Sequence, residues 1–110
     1  CFLEHGFIGL KALESCRITA RQIEAVRQCM NRELKRRGKI WIKVFPHIPV
    51  TQTPTENRMG KGKGSVAYWC APIKIGVVLF EITGVPLTKA RQALKKGSYK
   101  LPIKTKIIVN

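Results

Sequence analysis

The segment Arg58-Met59-Gly60-Lys61-Gly62-Lys63-Gly64-Ser65 sets the tightest limit on how this chain can fold. Glycines alternate with lysines there, so it supplies no apolar face for a core. A bare glycine backbone also approaches another surface more closely than any other residue allows. Pro46-His47-Ile48-Pro49 stands upstream and the strand-like Val66-Ala67-Tyr68-Trp69 downstream. The segment therefore reads as a cationic finger on a rigid base, with an anionic surface as its partner. Residues 57 to 64 are expected to be mobile in the free protein, because glycine is entropically costly to fix and the lysines repel one another.

A nucleotide-phosphate cradle is the competing reading, and spacing argues against it. A P-loop places Gly-Lys-Ser/Thr after its spacer and then opens a helix. Here Gly64 precedes Ser65 and a strand pattern follows, so no helix N-terminus waits for a phosphate.

The 110 residues fit one domain spanning 1–110, with enough chain to bury roughly two thirds of its unfolded surface. Charge is the outlier: 21 Lys+Arg against 6 Asp+Glu gives a net +15. A polyanion would relieve that self-repulsion, which points to nucleic acid or a membrane surface. No apolar run reaches the length of a membrane span, and no leader segment is visible. A helix lying on a membrane ranks below RNA, because the apolar stripe of the first helix is needed to cover a sheet. Cys1, Cys16, Cys29 and Cys70 form no Cys-x-x-Cys pair, and His5 and His47 stand apart, so zinc spacing is absent and no cofactor is implied. Free thiols and a reducing compartment are the expectation.

Along the chain, Phe7–Leu13 reads as a strand with Ile8, Leu10 and Ala12 on one face. Arg17-Ile18-Thr19 is expected to open a helix, with Thr19 and Gln22 as a capping box. Ile23, Val26, Met30 and Leu34 recur at helical spacing, Arg21, Arg32, Lys35 and Arg36 fall opposite, and Gly38 is expected to end the helix. Lys39–Phe45 alternates as a strand, with Ile40, Ile42 and Val44 facing one way and Trp41, Lys43 and Phe45 the other. Ser65–Ile73 and Val77–Thr83 read as strands joined by the turn Lys74-Ile75-Gly76. Thr88 is expected to cap a second helix that runs to Lys96 and stops at Gly97, before a last strand, Lys104–Val109. The fold class is α+β: two helices packed on a largely antiparallel β-sheet, sandwich-like.

No catalytic set emerges. Glu24 and Glu33 sit among helix cations, as surface pairing would place them. The cations do have a pattern: residues 34 to 55 carry five Lys/Arg and no acid, and residues 82 to 110 carry seven and no acid. Arginine forks and lysine point charges both suit phosphate. Trp41, Tyr68 and Trp69 are able to stack on bases, but each sits in a strand pattern that favours a place in or beside the core. A free-standing RNA-binding or annealing module is the alternative reading, and a small nucleotide-binding protein the weakest.

Taken together, Thr19-Ala20-Arg21-Gln22-Ile23-Glu24-Ala25, Gly38-Lys39-Ile40-Trp41-Ile42-Lys43-Val44-Phe45-Pro46, Arg58-Met59-Gly60-Lys61-Gly62-Lys63-Gly64 and Leu101-Pro102-Ile103-Lys104-Thr105 occur in an order and spacing that resembles bacterial-type large-subunit ribosomal protein sixteen, the universal uL-sixteen family. The resemblance covers nearly the whole chain. It implies an α+β sandwich that binds large-subunit rRNA beside neighbouring ribosomal proteins, with the glycine-lysine loop turned toward tRNA at the aminoacyl site, near the peptidyl-transferase region. By motif match Arg58, Lys61 and Lys63, with Met59, Gly60, Gly62 and Gly64, inherit the loop role. Arg21, Lys39 and Lys43 match basic positions of the helix and strand motifs, and Arg32, Arg36 and Lys104 complete the expected RNA-binding set. The arginine matching Arg58 is hydroxylated in some bacterial members. Family members usually begin with a strongly basic tail, and RNA contacts of that tail are expected to be missing here. The cysteines and the Thr53-Pro54-Thr55-Glu56-Asn57 approach to the loop look unusual for a bacterial member, which points to an organellar one, plant-type mitochondrial first.

Overall fold

The computed structural model describes residues 3–51 and 66–110. Along them run β1 (Ile8–Ala12), β2 (Cys16–Thr19), α1 (Ala20–Leu34), β3 (Lys39–Ile42), β4 (Ile48–Thr51), β5 (Val66–Ile73), β6 (Val78–Thr83), α2 (Leu87–Ser98) and β7 (Thr105–Val109). The fold is α+β with antiparallel sheets, as the sequence implied. The strands divide into a four-stranded sheet, β3-β6-β1-β7, and a three-stranded sheet, β2-β5-β4.

That division corrects two expectations. Arg17-Ile18-Thr19 does not begin the helix. It belongs to β2, where Arg17 faces Pro72 and Ile18 faces Ala71 of β5. Nor do β5 and β6 form a hairpin. The turn between them hands the chain from one sheet to the other, because its backbone bonds to the end of β1: the Gly76 N–H donates to Ala12 O and the Ala12 N–H to Val77 O, each at 2.9 Å.

Helix α1 starts where its local chemistry dictates. The Gln22 N–H donates to Thr19 Oγ1 at 3.1 Å and the Thr19 N–H to Gln22 Oε1 at 2.9 Å, a reciprocal capping box. Ile23, Val26, Met30 and Leu34 are all buried. The helix ends earlier than Gly38, however. Lys35 adopts left-handed backbone at φ 54 and Arg36 at φ 63. The Lys35 N–H returns to Arg32 O and the Arg36 N–H to Asn31 O, a Schellman closure made without glycine. Gly38, also left-handed, lies at the entry to β3, where a Cβ would come within 2.5 Å of Thr83 O.

Helix α2 departs from expectation at both ends. Pro86, not Thr88, is its N-cap, and no side chain caps it. Gly97 does not stop it. It lies inside the last turn, buried, where a Cβ would sit 2.9 Å from Met30 Cγ and 3.1 Å from Val26 Cγ1. That glycine sets how closely α1 and α2 pack. Helix α2 covers β1 and β7, α1 covers β2 and β5, and the helices pack on each other, so one apolar cluster joins both sheets.

Candidate nucleic-acid interface

The C-terminal end of α1 gathers several exposed cations into one place. Arg27, Gln28, Asn31, Arg32, Lys35 and Arg36 line one open concavity there. Arg27 is committed to Glu24, whose carboxyl is held below its ordinary value first by the hydrogen bond from that guanidinium. Arg32, Lys35 and Arg36 have no carboxylate partner among the described residues. The helix geometry explains the convergence. Arg32 lies one turn from the end, and the left-handed pair Lys35-Arg36 folds back beside it instead of continuing along the axis. Non-glycine residues in that region cost about 1–3 kcal/mol each, here as the left-handed closure of the helix. Guanidinium forks beside two side-chain amides suit phosphate oxygens and ribose hydroxyls.

The other expected RNA-binding cations scatter. Arg21 is exposed in the first turn of α1, at the helix end opposite Arg32 and Arg36, so the three do not form one patch. The Lys39 ammonium lies 4.0 Å from the Trp41 ring centroid, a cation–π contact. Lys43 is largely covered and pairs with Glu4 at 3.1 Å, which makes it a structural clasp first. Lys104 is exposed just before β7, at the edge of the four-stranded sheet away from Lys39. Three strand spacings, roughly 14 Å, separate those edges. The loop residues Arg58, Met59, Gly60, Lys61, Gly62, Lys63 and Gly64 lie outside the described residues, as does the expected mobility of 57 to 64.

Two features escaped the sequence reading. Glu81, in the middle of β6, is 1% exposed. Its Oε1 accepts the N–H groups of His5 at 2.7 Å and Gly6 at 2.9 Å, and its Oε2 that of Glu4 at 3.1 Å. Burial raises its pKa, but the three N–H donors and the Lys43 charge outweigh burial and leave it below the ordinary value. Glu81 thus pins the segment before β1 onto the sheet. The only hint in the sequence is one acid within the apolar run Val78-Leu79-Phe80-Glu81-Ile82. The second feature is the contrast between the tryptophans. Trp41 is engaged: His5 stacks on it at 4.0 Å and its Nε1–H donates to Thr83 Oγ1 at 3.2 Å. Trp69 is 46% exposed, on the half of β5 that runs beyond the core.

Enzymatic arrangements do not assemble among the described residues. Cys16, Cys29 and Cys70 are free, and no thiol hydrogen-bonds a histidine; His5 stacks on Trp41 and His47 Nδ1 lies 3.1 Å from Phe45 O. Among those residues no cluster of three His, Cys, Asp or Glu could hold a metal ion, and no helix is long and apolar enough to cross a membrane.

Among the described residues, this small, strongly basic α+β fold leaves cations on open surface while its carboxylates engage internal partners, the make-up of a basic binding protein rather than of an enzyme pocket. Comparison with known proteins gives the particular family. Residues 2–108 match the family model described as Ribosomal protein L16p/L10e, and the chain belongs to that family. It is 58% identical over 107 residues to the large ribosomal subunit protein uL16 of Cereibacter sphaeroides, covering 97% of this chain and 78% of that one. The uL16 proteins of Hyphomonas neptunium and Parvibaculum lavamentivorans are 60% and 55% identical over 106 residues, each covering 96% of this chain and 77% and 76% of theirs. These relatives are bacterial.

Proposed function

We propose that this chain is a structural, non-enzymatic constituent of the large ribosomal subunit. It binds large-subunit rRNA through its cationic faces, contacts neighbouring ribosomal proteins, and turns the Arg58–Gly64 loop toward tRNA at the aminoacyl site. The ribosomal identity of the relatives supports the ribosomal part. The observation that carries the RNA part is the trio Arg32, Lys35 and Arg36, without a carboxylate partner among the described residues, converging at the end of α1. Arg21, Lys39 and Lys104 add contacts from separate faces, as a protein wedged between RNA segments requires. Lys43 contributes least, being held by Glu4. The unusual cysteines and the Thr53–Asn57 approach support a mitochondrial, plant-type setting, which organelle fractionation tests.

Binding to a large-subunit rRNA fragment tests the RNA part. If 6–10 phosphates are neutralised, affinity falls about 10³- to 10⁵-fold between about 50 and 200 mM salt. Arg32→Ala and Arg36→Ala each reduce the slope of that dependence by about one. Affinity flat across that range contradicts the reading.

A further inference from the structure

Trp69 leaves a built apolar cleft open. The outer half of β5, from Val66 through Trp69, is exposed on both faces, whereas Cys70, Ala71 and Ile73 enter the core. Trp69 lines the cleft together with Ala20, Phe45, Pro46 and His47. Pro49, its cross-strand neighbour on β4, stiffens the backbone behind it. Phe45 is 76% exposed, and His47 is oriented by its Nδ1 against Phe45 O at 3.1 Å. Among the described residues the rings of Phe45, His47 and Trp69 do not stack on one another. These are flat surfaces held apart on a fixed frame.

The surroundings choose the occupant. The cleft shares Ala20, Phe45 and Pro46 with an adjoining concavity lined by Glu24 and by Lys43, whose ammonium is held by Glu4. Arg21 follows Ala20 directly and is exposed, without a carboxylate partner among the described residues. The acid beside this region, Glu24, is held by Arg27. Ala20, the first residue of α1, lines the cleft, and no acid occupies that first turn, so the positive helix end lies beside it. A purely apolar partner gains nothing from such a rim. A polyanion carrying flat apolar groups uses both parts, with bases on the rings and phosphates on the rim.

We propose that the cleft formed by Phe45, Pro46, His47 and Trp69 is a stacking site for an unpaired nucleobase of RNA. It rests on the RNA-binding reading and deepens it: the cations hold the backbone, and this cleft requires a splayed-out base next to the phosphates.

The probes are a single-stranded oligoadenylate of about a dozen nucleotides and an abasic oligonucleotide of the same length and charge. The full chain binds the first more tightly. Trp69→Ala lowers affinity for oligoadenylate by about 5- to 150-fold, the range for one aromatic–base contact, and removes most of the preference over the abasic strand. Trp69→Phe restores both within a few-fold, and the loss is the same at low and high salt, unlike loss of a phosphate contact. Equal affinity for both strands in the wild type overturns the stacking site while leaving RNA binding intact. Failure to bind either strand or rRNA overturns the RNA-binding reading itself. If Trp69→Ala binds oligoadenylate normally but enters large subunits poorly, the cleft receives a protein, and the proposal is wrong.

Discussion

Replacing Glu81 tests whether one buried carboxylate fixes the segment before β1. In the native fold it accepts three backbone N–H bonds and lies beside Lys43. Glu81→Ala orphans the buried Gly6 donor and exchanges the Glu4 and His5 bonds for bonds to water. An unsatisfied buried donor costs about 1–3 kcal/mol, and each hydrogen bond to a charged acceptor contributes about 1.5–3 kcal/mol when intact. Since water partly replaces two of the three, the expected loss is about 3–5 kcal/mol. Glu81→Gln keeps one acceptor oxygen but turns an NH₂ group toward an N–H donor, which costs about 1.5–3 kcal/mol. Urea denaturation reads both, because with a slope of about 1–3 kcal/mol per molar the alanine variant's midpoint drops by about 2 M. The pH dependence gives an independent check. The folded pKa lies below the ordinary 4.5, so the carboxylate's stabilisation is fully present above about pH 4.5 and is lost as pH falls through the folded value. The gap between wild type and Glu81→Gln should therefore be widest near neutrality and narrow below pH 4.5. A glutamine variant as stable as the wild type at pH 7, or a gap that widens on acidification, refutes the reasoning.

Other perturbations probe the remaining joints. Lys35→Gly relieves a left-handed backbone at φ 54 and should stabilise the fold by about 0.5–1 kcal/mol while lowering the salt slope of RNA binding by about one; thermal melts and salt titrations read the two effects separately. Gly97→Ala should destabilise by about 1 kcal/mol in urea denaturation, because overpacking against Met30, at about 1–3 kcal/mol, exceeds a helix-propensity gain of about 1 kcal/mol. Replacing Lys61 and Lys63 together by alanine should change stability by no more than about 0.5 kcal/mol and leave subunit assembly normal, but slow tRNA accommodation in reconstituted ribosomes. Arg58→Lys should impair the same step, since an ammonium lacks the planar fork. Failed assembly followed by normal elongation would make the loop an rRNA anchor instead.

What could be read from the sequence was what local chemistry decides. The start and buried stripe of α1 follow from Thr19, Gln22 and an i, i+3, i+4 spacing, all within one helix. Its end departs from the glycine stop because a lysine and an arginine, not the usual glycine, fill the left-handed closing positions. The split into two sheets was hidden because β5 and β6 are adjacent in sequence and joined by a turn-like segment, yet their partners lie far away in the chain. Gly97 carries both a stop signal and a packing role, and only the presence of Met30 opposite distinguishes them. Trp41 and Trp69 sit in equally alternating strands, and nothing local says that His5 will cover one and nothing described will stack on the other. The cationic site was visible as charge, but its concentration at Arg32, Lys35 and Arg36, and the diversion of Lys43 to Glu4, depend on contacts between distant residues.

Sedimentation of the endogenous protein through a density gradient tests the central claim most directly. The account predicts that it travels with large ribosomal subunits and assembled ribosomes, stays bound through a moderate salt wash, and leaves with RNA-free protein when the rRNA is digested. Recovery of the protein at the top of the gradient at physiological salt, with intact large subunits lacking it, would contradict the account.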